Sequence, residues 1–190
     1  MSSIVPSSIS ASLLCHPTTP CTIVHAIDVT AARTETGGLI LRYRIHGNPD
    51  GLLLPAPRPA SACDGLWQHT CCELFVATAR HADAYREFNF SPSGEWAAYG
   101  FSAYRARTTS DKAPKISPEI ALRQDANGFE LTATLPASLL PSTGDQQLGL
   151  TTVIEATDGS KSYWALAHGA AQPDFHLRQS FSLDLKAANA

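Results

Sequence analysis

The sequence predicts an all-β domain, a two-sheet antiparallel β-sandwich. Three observations lead there. Apolar and polar residues alternate with period two through several segments, the pattern of half-buried strands. Clusters of Gly, Pro, Asn and Asp punctuate those segments at short intervals, as hairpin turns require. No segment carries a convincing long helix. The 190 residues suit one domain, and an apolar fraction of 44% is enough to build its core.

Residues 1–20 are rich in Ser, Thr and Pro and contain no Lys or Arg. They lack the cationic start of a secretory signal and are expected to form a flexible arm. A single sandwich is expected over residues 21–186, with a short frayed tail at 187–190. Its first strand is expected over Thr22–Val29. The second is the clearest: Leu39, Leu41, Tyr43 and Ile45 share one face, and Arg42, Arg44 and His46 the other. Pro55, Pro57 and Pro59 then mark a surface loop, because proline cannot donate to a ladder.

Further strands are expected at Cys72–Ala77, Tyr85–Phe90 and Glu95–Tyr104. The last two are joined by the turn Ser91-Pro92-Ser93-Gly94. Thr108–Pro118 is polar, carries two prolines and reads as a mobile loop. A hairpin follows through Asp125-Ala126-Asn127-Gly128, with Phe129, Leu131, Ala133 and Leu135 inward. Pro136–Leu140 suits one helical turn begun by proline. The remaining strands are Leu148–Ala156, Lys161–Ala167 and Ser180–Leu185, about ten strands in all.

Charge and composition exclude several functions. A net charge of -3 argues against a nucleic-acid footprint, which needs a basic stripe. No apolar run is long enough for a membrane helix. The cysteines Cys15, Cys21, Cys63, Cys71 and Cys72 are odd in number, which favours reduced thiols and a cytoplasmic location. No phosphate-cradling glycine loop and no Gly-x-Ser-x-Gly elbow is present. The sequence leaves the oligomeric state open.

Three clusters hold the candidate functional residues. In the first, Trp67 and His69 lead into a strand where Glu73 interrupts an apolar run. A buried carboxylate needs a partner, and Arg105, Arg107 or Tyr104 could serve; Glu73 reads either as a structural carboxylate or as a ligand contact. His69 and Glu73 are four apart, a metal-binding spacing on a helix but not on the strand expected here. In the second cluster Glu87, Asn89 and Trp96 flank the Ser-Pro-Ser-Gly turn. Asn89 could close that turn, and Trp96 could stack on a planar ligand or cap the core. In the third, Trp164 and His168 precede Asp174 and His176, with Glu155 in the strand before. These histidines could contact a ligand, transfer protons or bind a metal.

At these clusters the chain resembles the DOMON-like ligand-binding modules, close to the family 9 carbohydrate-binding modules. The carriers are Leu66-Trp67-Gln68-His69-Thr70 leading into Glu73-Leu74-Phe75-Val76, and Tyr85 through Trp96 followed by Tyr104-Arg105. Ser162 through His168 and Pro173-Asp174-Phe175-His176 complete them. The resemblance spans roughly residues 22–185. It implies a jelly-roll type sandwich that binds sugar or heme, usually without catalysis. Stacking tryptophans of the sugar binders would correspond to Trp67, Trp96 or Trp164. Heme-binding relatives use axial Met and His; with Met1 the one methionine, only histidine ligation is open here.

The leading expectation is therefore a non-catalytic module for a carbohydrate or similar polar small molecule. Its ligand set would be drawn from Trp67, His69, Glu73, Glu87, Asn89, Trp96, Glu155, Trp164, His168, Asp174 and His176. The alternatives are a heme- or divalent-metal-binding sandwich using histidines, and a hydrolase using Glu73 with a histidine.

Overall fold

The computed structural model describes residues 8–78, 82–108, 116–141 and 144–186. Twelve strands form two antiparallel sheets packed face to face, and none of the described residues is α-helical. The strands are β1 (Ser8–Cys15), β2 (Val24–Arg33), β3 (Leu39–Gly47), β4 (Cys71–Ala77), β5 (Tyr85–Phe90) and β6 (Trp96–Ala103). They continue as β7 (Ala106–Arg107), β8 (Glu119–Asp125), β9 (Gly128–Leu135), β10 (Gln146–Glu155), β11 (Lys161–Ala165) and β12 (Leu183–Leu185).

One sheet runs β1-β2-β3-β9-β8 and the other β7-β6-β5-β4-β10-β11, with β12 beside the first half of β10. The alternation of β3 places Leu39, Leu41, Tyr43 and Ile45 in the core between the sheets. Opposite them lie Cys72, Leu74, Val76, Phe88, Phe90, Leu148, Leu150 and Trp164. The Tyr43 hydroxyl crosses this core and donates to the Glu73 carbonyl at 2.7 Å, tying the two sheets together.

β4 is buried on both faces, as expected of a central strand whose outer surface is also covered. Its other face, with Cys71, Phe75, Tyr85, Tyr99, Phe101 and Phe175, forms a second apolar cluster outside the sandwich core. Gly149 makes this possible, because a Cβ there would stand 2.7 Å from Phe181 and 3.3 Å from the Phe75 Cβ.

The expected arm at residues 1–20 is corrected over Ser8–Cys15, which form β1. Ser8–Leu13 pair with β2, and Leu14 and Cys15 pair with β11, so β1 switches from one sheet to the other. Ser8, Ser10 and Ser12 are exposed, while Ile9, Ala11 and Cys15 are half-buried against the core and Leu13 is buried in it, so a weak apolar face adds to the backbone pairing that holds the strand. β2 and β10 are longer than expected, and β11 and β12 shorter. The turn at Pro136–Leu140 is a 3-10 turn over Ala137–Leu139. Most of the expected loop at Thr108–Pro118, residues 1–7 and the tail lie outside the described residues. All five cysteines are free thiols. Among the described residues no helix is long and apolar enough to cross a membrane.

Candidate functional site

The outer face of the second sheet is the floor of a cleft of about 700 Å³. Strand register decides what that floor carries. Asn89, Glu73 and Thr151 are successive partners on β5, β4 and β10, forming a polar row across the sheet. The neighbouring row holds Tyr99, Glu87, Phe75 and Gly149. Glu73 and Glu87 are therefore diagonal neighbours on adjacent strands, with backbones roughly 7–8 Å apart. Glu73 is only 2% exposed yet lines the cleft.

Trp67 forms the rim. Gly65, at φ +78°, starts the 3-10 turn Leu66–Gln68, whose Leu66 is buried beneath it. That anchor leaves Trp67 41% exposed, its indole edge-on to Tyr99 at 5.8 Å. The Arg107 guanidinium lies over the same Tyr99 ring at 4.1 Å. The Tyr99 hydroxyl donates to Asp64, and burial together with that carboxylate pushes its pKa up.

Arg105 and a loop after β11 close the far side. Arg105 has φ +53° between β6 and β7, a left-handed conformation that costs about 1–2 kcal/mol in a non-glycine residue. Its surroundings hold it there: its N–H donates to the Tyr85 hydroxyl at 3.1 Å and its guanidinium to Asp174 at 2.9 Å. Burial opposes ionisation of Asp174, but the Tyr104 hydroxyl and Arg105 outweigh it and hold the carboxyl below its ordinary range. His176 follows. The Tyr85 hydroxyl, which accepts from Arg105, also hydrogen-bonds His176 Nδ1 at 2.8 Å, and His176 Nε2 faces Glu87 Oε2 at 3.8 Å. Burial, reinforced by Arg105, lowers the His176 pKa to about 4, so the ring is neutral at pH 7.

The two floor carboxyls are pushed the other way. Burial raises Glu87 to about 7, against the pull of the Asn89 amide and the two arginines. Burial and then the Glu87 charge raise Glu73 well above the carboxylate range, although the Thr151 hydroxyl donates to it at 2.9 Å. Asn89 donates to Glu87 Oε1 at 3.0 Å, and its own buried carbonyl oxygen has no partner.

Of the eleven residues singled out in the sequence, Trp67, Glu73, Glu87 and His176 line this cleft. Asn89 lies in its floor row, and Asp174 holds Arg105 in its wall. His69 and Glu155 pair at 2.7 Å in an adjoining hollow across the 66–68 turn. The other three lie elsewhere. Trp96 is 4% exposed, flanked by residues Ser61–Cys63. Trp164 is 5% exposed in the core between the sheets, its indole donating to Ser162. His168 stands against His16 and bonds the Leu14 carbonyl. Sequence reasoning missed Tyr99, Phe101 and Tyr163 as cleft residues. The alternation of β6 grouped Tyr99 with Phe101 but gave no sign of which face was covered by loops.

Comparison with solved structures shows a similar fold in the crystal structure of a "putative carbohydrate-binding protein" from Bacteroides uniformis, with a TM-score of 0.58 and 14% sequence identity. The match covers 92% of this chain and 84% of the other. No protein-family model matches the chain, and no curated protein sequence does.

The three candidate histidines lie apart. His69, His168 and His176 each bond a different partner, and among the described residues no group of three or more His, Cys, Asp or Glu side chains could hold a metal ion. Nor does Glu73 meet a histidine; the ring near the floor carboxyls is His176, against Glu87.

Proposed function

We propose that the chain is a non-catalytic binding module whose cleft takes a carbohydrate or a polar small molecule of similar size. The observation that carries this reading is Trp67, an indole held exposed at the rim of a cleft with a polar floor. An aromatic platform beside convergent hydrogen-bonding groups suits a sugar ring, which is apolar on its faces and polar on its edge. The fold shared with the Bacteroides uniformis protein described as carbohydrate-binding supports the same reading.

The test uses the tryptophans themselves. Trp96 and Trp164 are buried, so a ligand in the cleft changes emission chiefly through Trp67. A panel of neutral, acidic and amino sugars and their short oligomers should include one that shifts or quenches the emission saturably. Trp67→Ala should weaken its binding about thirtyfold, the effect of truncating an aromatic anchor worth about 2 kcal/mol. A panel in which no glycan alters emission or gives calorimetric heat overturns the reading.

A further inference from the structure

The charges around the cleft are not evenly matched. Arg105 meets Asp174 at 2.9 Å, Arg107 meets Asp64 at 4.0 Å, and Lys161 meets Glu155 at 3.8 Å. Each wall cation thus has a carboxylate of its own, away from the floor. Glu73 and Glu87 belong to none of these pairs. Glu73 accepts from Thr151, and Glu87 accepts from Asn89 and faces the neutral His176. A second, independent sign lies beside them. Asn89 is fully buried in the same row as Glu73, its amide N–H₂ committed to Glu87 and its carbonyl oxygen unpartnered. Buried acceptors without donors are costly, and two buried carboxylates without a cation are costlier still.

We propose that the floor of the cleft is a cation subsite, in which a protonated amino group of the ligand sits between Glu73 and Glu87 and donates to Asn89. The inference deepens the binding reading above, on which it rests for the sugar part: the ligand is an amino sugar with a free amine. An ammonium supplies up to three donors and one positive charge, which matches three acceptors and an unmatched pair of acids. It replaces the proton that the two carboxyls otherwise retain, so binding releases protons on the acid side of neutrality.

Other titratable groups face the pair from every side. Cys71 shares its strand, while Tyr43 and Cys72 approach from the core. Tyr85 lies on β5, Tyr99 on β6, and Lys161 and Tyr163 on β11. Arg105, Arg107 and Asp64 act on Glu87 from the surrounding loops, and Asp174 lies behind Arg105. Burial raises the Cys71 and Cys72 thiols and Tyr43, so none of these three adds charge near neutrality.

Calorimetry on the full chain tests the subsite with glucosamine, N-acetylglucosamine, glucose and n-propylamine. At about pH 7, glucosamine should bind at least tenfold more tightly than the other two sugars. Glu73→Gln and Glu87→Gln should abolish that preference. The affinity for n-propylamine should rise about tenfold or more from about pH 5 to about pH 8, as carboxyls that titrate late become ionised. Equal affinity for the three sugars overturns the cation subsite and leaves carbohydrate binding standing. Binding of n-propylamine with no sugar bound keeps the subsite and overturns the carbohydrate reading. No binding of any of the four overturns the subsite. Should either Gln variant fail to fold, the pH profile of the natural chain decides: an affinity for n-propylamine that is flat with pH overturns the subsite.

Discussion

Replacing Glu87 by Gln should make the protein more stable at alkaline pH and nearly unchanged in acid. Burial makes Glu87 titrate at about 7 in the folded chain, above the ordinary 4.5 of a glutamate. A folded pKa above the unfolded one means that the native state binds the extra proton. The associated stability is complete below about pH 4.5 and is lost as pH rises through about 7. That difference corresponds to about 3 kcal/mol. His176 works in the opposite direction. Its folded pKa of about 4 lies below the ordinary 6.5, so its contribution is gained as pH rises through that interval. His176 therefore partly offsets Glu87 in the natural chain, and the difference between it and Glu87→Gln reports the Glu87 carboxyl together with its coupling to Glu73. Gln keeps an oxygen to accept from Asn89, so the packing is preserved. The assay is urea unfolding at a series of pH values between about 4.5 and 8.5. The variant's midpoint should gain on the natural chain by on the order of 1–2 M across that range, for an m-value near 2 kcal/mol/M. Midpoints that move in parallel would refute the reasoning, because Glu87 would then titrate like an exposed acid.

Three other perturbations address the frame around the cleft. Gly149→Ala should destabilise by about 1–3 kcal/mol, since the added methyl drives into the Phe181 ring; urea unfolding measures it, and an unchanged midpoint counts against the packing described. Tyr43→Phe should cost about 1 kcal/mol by the same assay, the net worth of the hydroxyl bond that joins the sheets. Removing the chain up to and including Cys15 should abolish cooperative unfolding, because it uncovers the edges of both β2 and β11. A truncated chain that melts like the full one would show β1 to be dispensable.

The strands that the sequence revealed are those with one strongly apolar face, such as β3 and β9, where a one-residue slip would expose the whole core set. β1 escaped notice for the converse reason. Ser8, Ser10 and Ser12 alternate with Ile9, Ala11 and Leu13, of which Leu13 alone is fully buried, so its apolar face is short and weak and backbone pairing, which leaves no mark on composition, does the rest. Glu73 stood out as an acid in an apolar strand, and the structure shows both faces of that strand to be covered. The tryptophans show what alternation lacks. It separates Trp164 from Tyr163, yet it cannot tell that Trp164 turns to the core and Tyr163 to the cleft. The arginines of the wall are placed by the left-handed turn at Arg105, for which no glycine gave warning.

Because Leu14 pairs with Ala165, the seam that zips one layer to the other joins segments about 150 residues apart, among the slowest kinds of contact for a chain to make. A ribosome must deliver about 150 residues beyond Leu14 before this stitch can be sewn, and until then β1 has only β2 for company. In refolding experiments the amides of Leu14 and Cys15 should gain protection from hydrogen exchange after those of the β2–β3 hairpin, which closes within a few residues.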